Sequence, residues 1–321
     1  MTSFVITLIG NAQSMPLGSE HIEAVWHNLS LNSKNGQPGD RKKDWREDWL
    51  AENEACDLFF ESSLHAAELT KLARHALFGM AIDVACTPVP ARRKKLLIAD
   101  MDSTVIEQEC IDEMGAQIGL GRQIHEITAA VIDGEISFSD ALRKRMALMK
   151  GLELSLLEKV YEERISLKKG ALTLVSTMRE NGAYCILVSG GFSFFTSRIA
   201  KRLGFNEHRA NELVIENGKL TGEVKEPILG RSAKLTTLLK LCKTLNIAPF
   251  DVLAVGDGAN DIKMIKAAGM GVAFCASNSF KACSNICINH ADLSALLYMQ
   301  GYRRSQFVAS READHGYERT A

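Results

Sequence analysis

Three short apolar segments, each followed at once by polar or small residues, constrain the fold of this chain more than any other feature. Leu97–Ala99, Tyr184–Val188 and Val252–Val255 have the length and composition of buried strands, and segments with helical spacing lie between them. Such alternation is typical of parallel sheets, because a parallel connection needs a crossover helix and the helices cover both faces of the sheet. The sequence therefore predicts an α/β protein with a doubly wound parallel sheet.

Polar clusters follow the carboxyl ends of these three predicted strands. They are Asp100-Met101-Asp102-Ser103-Thr104, Ser189-Gly190-Gly191 and Gly256–Asp261. Ligands of open α/β sheets bind beyond the carboxyl ends of the strands. We therefore expect the three clusters to meet at one edge of one sheet, with the side chains of Asp100 and Asp102 on the same face.

Asp100, Asp102 and Asp257 would place carboxylates at buried strand ends, where unpaired negative charge is costly. Hard oxygen ligands without a histidine or cysteine cluster nearby suit Mg²⁺. A lone Asp-x-Asp pair is more often a pair of helix caps, and it also occurs in metal sites for sugar nucleotides. The agreement of three strand ends favours the Mg²⁺ site.

The small residues of Ser189–Gly191 precede a predicted helix, where backbone amides can approach a phosphate. Glycine-rich turns after strands are also routine, so this segment alone leaves phosphate binding open. Lys234 begins another predicted helix and could reach a phosphate or be a solvated surface lysine. Asn260 and Asp261 could cap the next helix, or could contact substrate and organise Lys234.

The chain divides into segments of different character. Residues 1–88 have the pattern of a small α+β domain, and within them the charged segment Ser33–Glu54 predicts a long loop or an eroded element that interrupts a regular βαββαβ order. Prolines and a basic run in Pro88–Lys95 mark a boundary. Residues 89–303 then form the main domain, with a helical insertion at about 105–167, and the polar, aperiodic residues 304–321 predict a disordered tail.

Composition narrows the class of protein further. The net charge is −1 over 321 residues, so nothing favours nucleic acid or an anionic membrane as a partner. The apolar stretches are only strand-length, and the first residues lack a basic region, so we expect neither a membrane span nor a secretory signal. Most cysteines lie in apolar runs, which predicts a reducing, cytoplasmic location; Cys275, Cys283 and Cys287 are expected to be thiols rather than metal ligands.

Four motifs in a fixed order point to a known family. ADMDST, VSGGF, Lys234 and VGDGAND resemble the four motifs of the haloacid dehalogenase superfamily. With QECIDEMG, FSDALRKRM and HADL added, the chain is similar to the phosphoserine phosphatases of that superfamily over about Leu96–Arg303. The resemblance implies a Rossmann-like core with a helical cap, preceded by a degenerate ACT-like (ferredoxin-like) domain.

The resemblance also implies a role for individual residues. Asp100 would be the nucleophile that becomes an aspartyl phosphate, and Asp102 the acid that protonates the leaving oxygen and then the base for water. The Asp100 carboxylate, the Asp102 backbone carbonyl and Asp257 would hold Mg²⁺. Substrate-binding and supporting roles would fall to Glu109, Phe138, Arg145, Ser189, Gly190, Lys234, Asn260 and Asp261.

The implied reaction is hydrolysis of O-phospho-L-serine, the last step of serine synthesis. Glu109 and Arg145 would bind the ammonium and carboxylate of serine, although each could instead belong to a solvated charged face of a helix. A related phosphatase or phosphotransferase for phosphothreonine or phosphohomoserine is one alternative. An amino-acid sensor with a vestigial site is another. Monomer or homodimer, and L or D substrate, are left open.

Overall fold

The sheet of this protein is a single layer of ten strands. The computed structural model describes residues 1–32, 45–132, 134–230, 232–281 and 283–308. The N-terminal elements are β1 (Thr2–Ile9), α1 (Ser19–Leu31), β2 (Trp45–Ala51), β3 (Ala55–Ser62), α2 (Ala66–Ala76) and β4 (Asp83–Pro88). Their strands pair antiparallel in the order β2-β3-β1-β4.

One prediction for the N-terminal segment is wrong. The second part of Ser33–Glu54 forms β2 rather than a loop, and the described elements follow one another in the order βαββαβ; residues 33–44 of the predicted loop lie outside the described residues. The charged residues at positions 46–48 interrupt the apolar pattern of this strand. β2 pairs with β3 at the edge of the sheet, so only Leu50 is fully buried and most of its residues are partly exposed. A strand of this kind lacks the apolar run that marks the central strands.

The second half of the sheet is parallel, as the sequence predicts. It consists of β5 (Leu96–Ala99), β6 (Tyr184–Phe192), β7 (Glu207–Asn211), β10 (Val252–Gly256), β11 (Met270–Phe274) and β12 (Ile286–Ile288). The order is β12-β11-β10-β5-β6-β7, with every neighbouring pair parallel. Helices α7 (Ala171–Glu180), α8 (Ser193–Leu203), α9 (Ala233–Thr244), α10 (Ile262–Ala267), α11 (Asn278–Lys281) and α12 (Ala295–Tyr298) complete this part.

Four helices between β5 and α7 form the helical insertion. They are α3 (Cys110–Gln117), α4 (Gly121–Ile132), α5 (Phe138–Ala147) and α6 (Leu154–Arg164). A hairpin of β8 (Leu213–Glu216) and β9 (Lys219–Val224) turns at Asn217–Gly218, both at positive φ, and packs against α5. The two ends of the insertion meet in an antiparallel bridge between Ile106 and Leu167, so it begins and ends at one place beside the sheet.

The N-terminal strands join the parallel strands directly. Val84 of β4 bridges Cys287 of β12 in antiparallel fashion, and the Asp83 carboxylate accepts hydrogen bonds from the backbone amides of residues 289–291 at 2.8–3.0 Å. Arg92 donates to the Asp57 carboxylate and to the backbone oxygens of Tyr298 and Met299. These polar contacts, in which the Asp57 and Asp83 carboxylates are buried, bind the two halves of the sheet together.

The expectation of a disordered tail from residue 304 is wrong for its first residues. Arg304–Gln306 form a 3-10 turn, and the Phe307 ring packs on Tyr298 with 4.9 Å between centroids. Residues 309–321 of that expected tail lie outside the described residues. Within the described ranges, no helix is both long and apolar enough to cross a membrane.

Candidate active site

The carboxyl ends of β10, β5 and β6 lie side by side, because these strands are neighbours in the sheet. The three polar clusters therefore meet as predicted, below the helical insertion, and border a cavity of about 170 Å³. Its lining includes nine of the eleven residues singled out in the sequence: Asp100, Asp102, Glu109, Phe138, Arg145, Ser189, Gly190, Asp257 and Asn260. Of the other two, Lys234 contacts Asp100 and Asp261 contacts Lys234.

Lys234 is a buried cation between two carboxylates. Its Nζ lies 2.6 Å from Asp100 Oδ2 and 2.7 Å from Asp261 Oδ1, with only 4% of the side chain exposed. Burial alone would lower the pKa of Lys234, but the two carboxylates outweigh it and raise the pKa. Burial and the charge of Asp100 raise the pKa of Asp261 to about 8. The alternative of a solvated surface lysine is therefore excluded.

Oxygen atoms from Asp100, Asp257 and Asp261 all lie within 4.8 Å of one another. Thr104 Oγ1 donates to Asp257 Oδ1 at 2.8 Å and orients that carboxylate. Burial and the charge of Asp100 raise the pKa of Asp257 to about 6, while Lys234 opposes the shift. Clustered hard oxygen donors fit Mg²⁺. The predicted set named Asp102, which would enter through its backbone carbonyl, whereas the side-chain cluster contains Asp261.

The Asp102 carboxylate is turned away from that cluster and is held by two donors. The backbone N–H of Cys110 donates to Oδ1 and the Ser189 hydroxyl donates to Oδ2, each at 2.9 Å. Burial raises the pKa of Asp102; the Cys110 amide opposes this and the charge of Asp100 adds to it. Asp100 and Asp102 thus have different surroundings although they are two residues apart, which suits them to different roles.

The last residues of β6 include Ser189, Gly190 and Gly191, which form a close-fitting cradle of small residues. The Gly191 amide donates to Ser189 Oγ at 2.8 Å. A Cβ at Gly190 would lie 3.0 Å from the Phe138 ring, and one at Gly191 would lie 3.1 Å from Asp102 Oδ2. Neither glycine could carry a side chain without displacing a neighbour in the site. This geometry suits the close approach of an anion to backbone amides.

Glu109 and Arg145 come from different helices of the insertion but line the same cavity. Burial and the nearby Asp102 raise the pKa of Glu109 to about 8, while Ser103 Oγ donates to its Oε1 at 2.7 Å. Arg145 is only 8% exposed, and its Nε lies buried without a hydrogen-bond partner. The alternative of a solvated charged face is therefore excluded for Arg145, whereas Glu109 lines the cavity as an exposed residue held by Ser103.

Sequence reasoning assigned no role to three residues that support the site. Ser103 holds Glu109, Thr104 holds Asp257, and the Cys110 amide holds Asp102. Ser103 and Thr104 stood in the first polar cluster, but their partners are 6 and 153 positions away. These contacts become visible only in the structure, where Ser103 lies at positive φ in a turn and the insertion lies over the sheet.

Comparison with known proteins agrees with this architecture. A family model described as haloacid dehalogenase-like hydrolase matches residues 97–266. The phosphoserine phosphatase of Archaeoglobus fulgidus is 40% identical over 233 residues, which cover 72% of this chain and 67% of the relative. The structure of a substrate-bound phosphoserine phosphatase complex matches 64% of this chain and 98% of its own with 38% identity and a TM-score of 0.60. A HAD family hydrolase from Salmonella enterica serovar Typhi matches 93% of this chain and 98% of its own with 26% identity and a TM-score of 0.80.

Proposed function

Since the chain belongs to the haloacid dehalogenase-like hydrolases and, within them, to the phosphoserine phosphatases, we propose that it hydrolyses O-phospho-L-serine to L-serine and phosphate. One observation carries the choice of substrate: an exposed carboxylate, Glu109, and a buried guanidinium, Arg145, line the same cavity as the nucleophile candidate Asp100. An amino acid offers one cation and one anion to such a pair.

In the proposed first step an Asp100 oxygen forms a bond to phosphorus as the bond from phosphorus to the serine oxygen breaks. Asp102 gives its proton to that serine oxygen. In the second step water attacks the aspartyl phosphate, Asp102 takes a proton from the water, and Asp100 is restored with release of phosphate. The raised pKa of Asp102 supports its first role, since an acid must hold a proton before it can donate one.

Charge and position come from the surrounding residues. Lys234 and the amides around Ser189 and Gly190 would bind the phosphoryl oxygens, and Asn260 would contact the substrate from the cavity wall. Mg²⁺ would be held by Asp100, Asp257 and the Asp102 carbonyl, and when bound it would offset the negative charge of the phosphoryl group. Asp261 would keep Lys234 in place, at 2.7 Å, and Phe138 would pack beside the bound serine.

We also infer how the remaining parts serve this reaction. The helical insertion covers the cavity and would act as a cap that excludes water during phosphoryl transfer. The strand order β2-β3-β1-β4 and the βαββαβ sequence support a degenerate ACT-like (ferredoxin-like) domain over residues 1–88, followed by the phosphatase domain over 89–303. We propose a cytoplasmic location, and we leave monomer or homodimer open.

A panel of small phosphomonoesters, assayed by release of inorganic phosphate, tests the proposal. Phosphoserine should be among the best substrates, ahead of phosphothreonine and phosphohomoserine, and EDTA should abolish turnover until Mg²⁺ is added back. If another ester is clearly preferred, the related-phosphatase alternative replaces this one. If purified protein has no turnover with any ester, the sensor alternative stands.

The nucleophile is tested separately by Asp100→Asn. An amide cannot form the aspartyl phosphate, so we expect activity to fall to the background of the preparation. A variant made in parallel at an exposed carboxylate, Glu216→Gln, serves as the purification control. Full activity of Asp100→Asn, with contaminating phosphatase excluded by the same purification, would contradict the covalent mechanism.

A further inference from the structure

The Asp102 carboxylate is held by a group that the helical insertion supplies. Its Oδ1 accepts the backbone N–H of Cys110, which is the first residue of α3. Amides in the first turn of a helix have no acceptor within the helix. The residue in the N-cap position, Glu109, makes no side-chain capping hydrogen bond. Asp102 therefore takes the place of an N-cap side chain, from another part of the structure, and its charge suits the positive end of the helix.

The same carboxylate is fixed on its other oxygen by the Ser189 hydroxyl at 2.9 Å. Two directed hydrogen bonds to two oxygens define the plane of the carboxylate as well as its position. The Ser189 hydroxyl also receives the Gly191 amide and lies where a phosphoryl group is expected, so substrate would compete for it. Among the described residues, Asp102 is the only acceptor of the Cys110 N–H. This hydrogen bond would therefore remain when substrate is bound, because nothing competes for the donor.

The thiol of Cys110 does not offer an alternative explanation. Cys110 is 1% exposed, and burial together with the neighbouring Asp102 charge raises the pKa of its thiol well above the usual value. A thiol of this kind remains protonated and is a poor nucleophile. The S–H also donates to Asp102, but a thiol is a weak donor, so the main contribution of this position to the site is its main-chain N–H.

We propose that Cys110 is a positioning residue for leaving-group protonation, and that it acts through its backbone N–H on Asp102. This inference rests on the proposed function, because it assumes that Asp102 is the acid for the serine oxygen. The position of α3 would then orient the Asp102 carboxylate. Asp102 would be aligned with the leaving oxygen only when the helical insertion is packed on the sheet.

The chain permits a clean removal of this N–H. Proline is favoured at the first position of a helix, because the missing N–H has no acceptor there. The residue before a proline must be extended, and Glu109 already has φ −95° and ψ 110°. Cys110→Pro thus deletes the hydrogen bond while the helix can still form. Cys110→Ala is the matched variant, since it deletes the thiol and keeps the N–H.

Two substrates separate positioning of the acid from a general loss of structure. The serine alkoxide must be protonated as it leaves, whereas p-nitrophenolate is a stable anion that leaves without a proton. For Cys110→Pro we expect the rate of enzyme phosphorylation by phosphoserine, measured by rapid quench, to fall about 100-fold, which is the lower range for loss of a general acid. The burst of p-nitrophenolate from p-nitrophenyl phosphate should keep its rate within about threefold, since no acid is required. Cys110→Ala should retain the wild-type ratio of the two rates.

Equal slowing of both phosphorylation rates in Cys110→Pro, or a wild-type rate with phosphoserine, would overturn the proposal. If that variant does not fold, amide hydrogen exchange on ¹⁵N-cysteine-labelled protein decides: the Cys110 amide should be protected in the wild type and exposed in Asp102→Ala. Free exchange in the wild type overturns the proposal. A wild-type protein that is inactive on phosphoserine but shows this protection would contradict the proposed function and leave the hydrogen bond established.

Discussion

At the scale of the residue, burial separates side chains that look equivalent in the sequence. Arg143 and Arg145 lie two positions apart on α5, yet half of the Arg143 side chain is exposed and Arg145 is 8% exposed on the cavity wall. Arg143 pairs with Asp140 and Glu226 at the surface. Such exposed ion pairs contribute little to the stability of the fold. The buried guanidinium of Arg145, by contrast, has an unpaired Nε that is available to a ligand. The difference gives each arginine a distinct expected effect when it is removed.

Arg145→Ala should weaken use of phosphoserine while sparing p-nitrophenyl phosphate, which has no carboxylate for Arg145 to bind. We expect kcat/KM for phosphoserine to fall about 10- to 100-fold, because a hydrogen bond to a charged group contributes about 1.5–3 kcal/mol. Steady-state kinetics on both esters measure the effect, and Arg143→Ala is the control. Equal losses on both esters would indicate that Arg145 is catalytic or structural instead.

The raised pKa values of Asp257, about 6, and Asp261, about 8, predict how Mg²⁺ stabilisation depends on pH. An acid whose folded pKa exceeds its unfolded value holds its proton in the folded state, so without metal its contribution to stability falls as pH rises between the two values. Mg²⁺ binds the deprotonated forms and should reverse this loss. The increase in Tm on adding Mg²⁺ should therefore be larger at pH 8 than at pH 5.5.

Thermal denaturation with and without EDTA at the two pH values measures this difference. Asp257→Asn replaces one carboxylate of the oxygen cluster by a neutral amide. It should abolish the increase in Tm on adding Mg²⁺ at both pH values. An increase in Tm of equal size at pH 5.5 and pH 8 would show that these carboxylates do not hold the metal.

At the scale of the element, the β8–β9 hairpin supports the helix that carries Arg145. The backbone atoms of Leu220 exchange hydrogen bonds of 2.8 Å with Gly151 and Leu152, just beyond α5. Gly222 faces α5 so closely that a Cβ there would lie 2.9 Å from Lys150 Cβ. The hairpin thus sets the distance between α5 and the sheet, and with it the position of Arg145 in the cavity.

Gly222→Ala should raise KM for phosphoserine, because the added methyl group pushes α5 outward. Its φ of +85° adds a backbone cost of about 1 kcal/mol for a residue with a Cβ. Gly218→Ala, at φ +75° with nothing within 4 Å, carries the backbone cost alone and is the matched control. Kinetics and urea unfolding of both variants distinguish the two effects. A similar KM for the two variants would show that the hairpin does not position α5.

At the scale of the whole molecule, the N-terminal half of the sheet is part of the same folded body as the phosphatase half. Arg92 binds both oxygens of Asp57 at 2.5 and 2.7 Å and reaches Thr7, so that residues of β1 and β3 are tied to the segment leading into β5. The Asp57 side chain is only 1% exposed. A buried carboxylate held in this way depends on its partner far more than a surface pair does.

Arg92→Met should lower stability by about 3–5 kcal/mol, because it leaves the Asp57 charge buried without its counter-charge. The measurement is the midpoint of urea unfolding, followed by tryptophan fluorescence and by loss of activity. Lys95→Met is the control, since the Lys95 side chain is 64% exposed and its pair with Asp251 spans 3.4 Å. If the two variants unfold at the same midpoint, the ion pair does not join the two halves.

Local periodicity and composition were enough to predict the strands of this protein that are buried on both faces of the sheet. The central strands β5, β6 and β10 contain continuous apolar runs, so their positions and the convergence of their polar ends could be predicted from local sequence. β2 and β7 are the two edge strands, with three charged residues in β2 and mostly polar residues in β7, and β12 has only three residues, so none of them left a signal of this kind.

What the sequence determined by itself was that Asp100, Asp102 and Asp257 lie at the ends of neighbouring strands, where a metal and a phosphate could bind; the individual roles of these residues, and those of Lys234, Glu109 and Arg145, were predicted from the family resemblance. Only the tertiary structure decided which groups hold those residues in place. Asp102 turns toward the Cys110 amide and Ser189, Asp261 joins the oxygen cluster, and Arg92 fixes the N-terminal strands. These contacts join residues from distant parts of the chain, and directed hydrogen bonds depend on three-dimensional positions that no local pattern encodes.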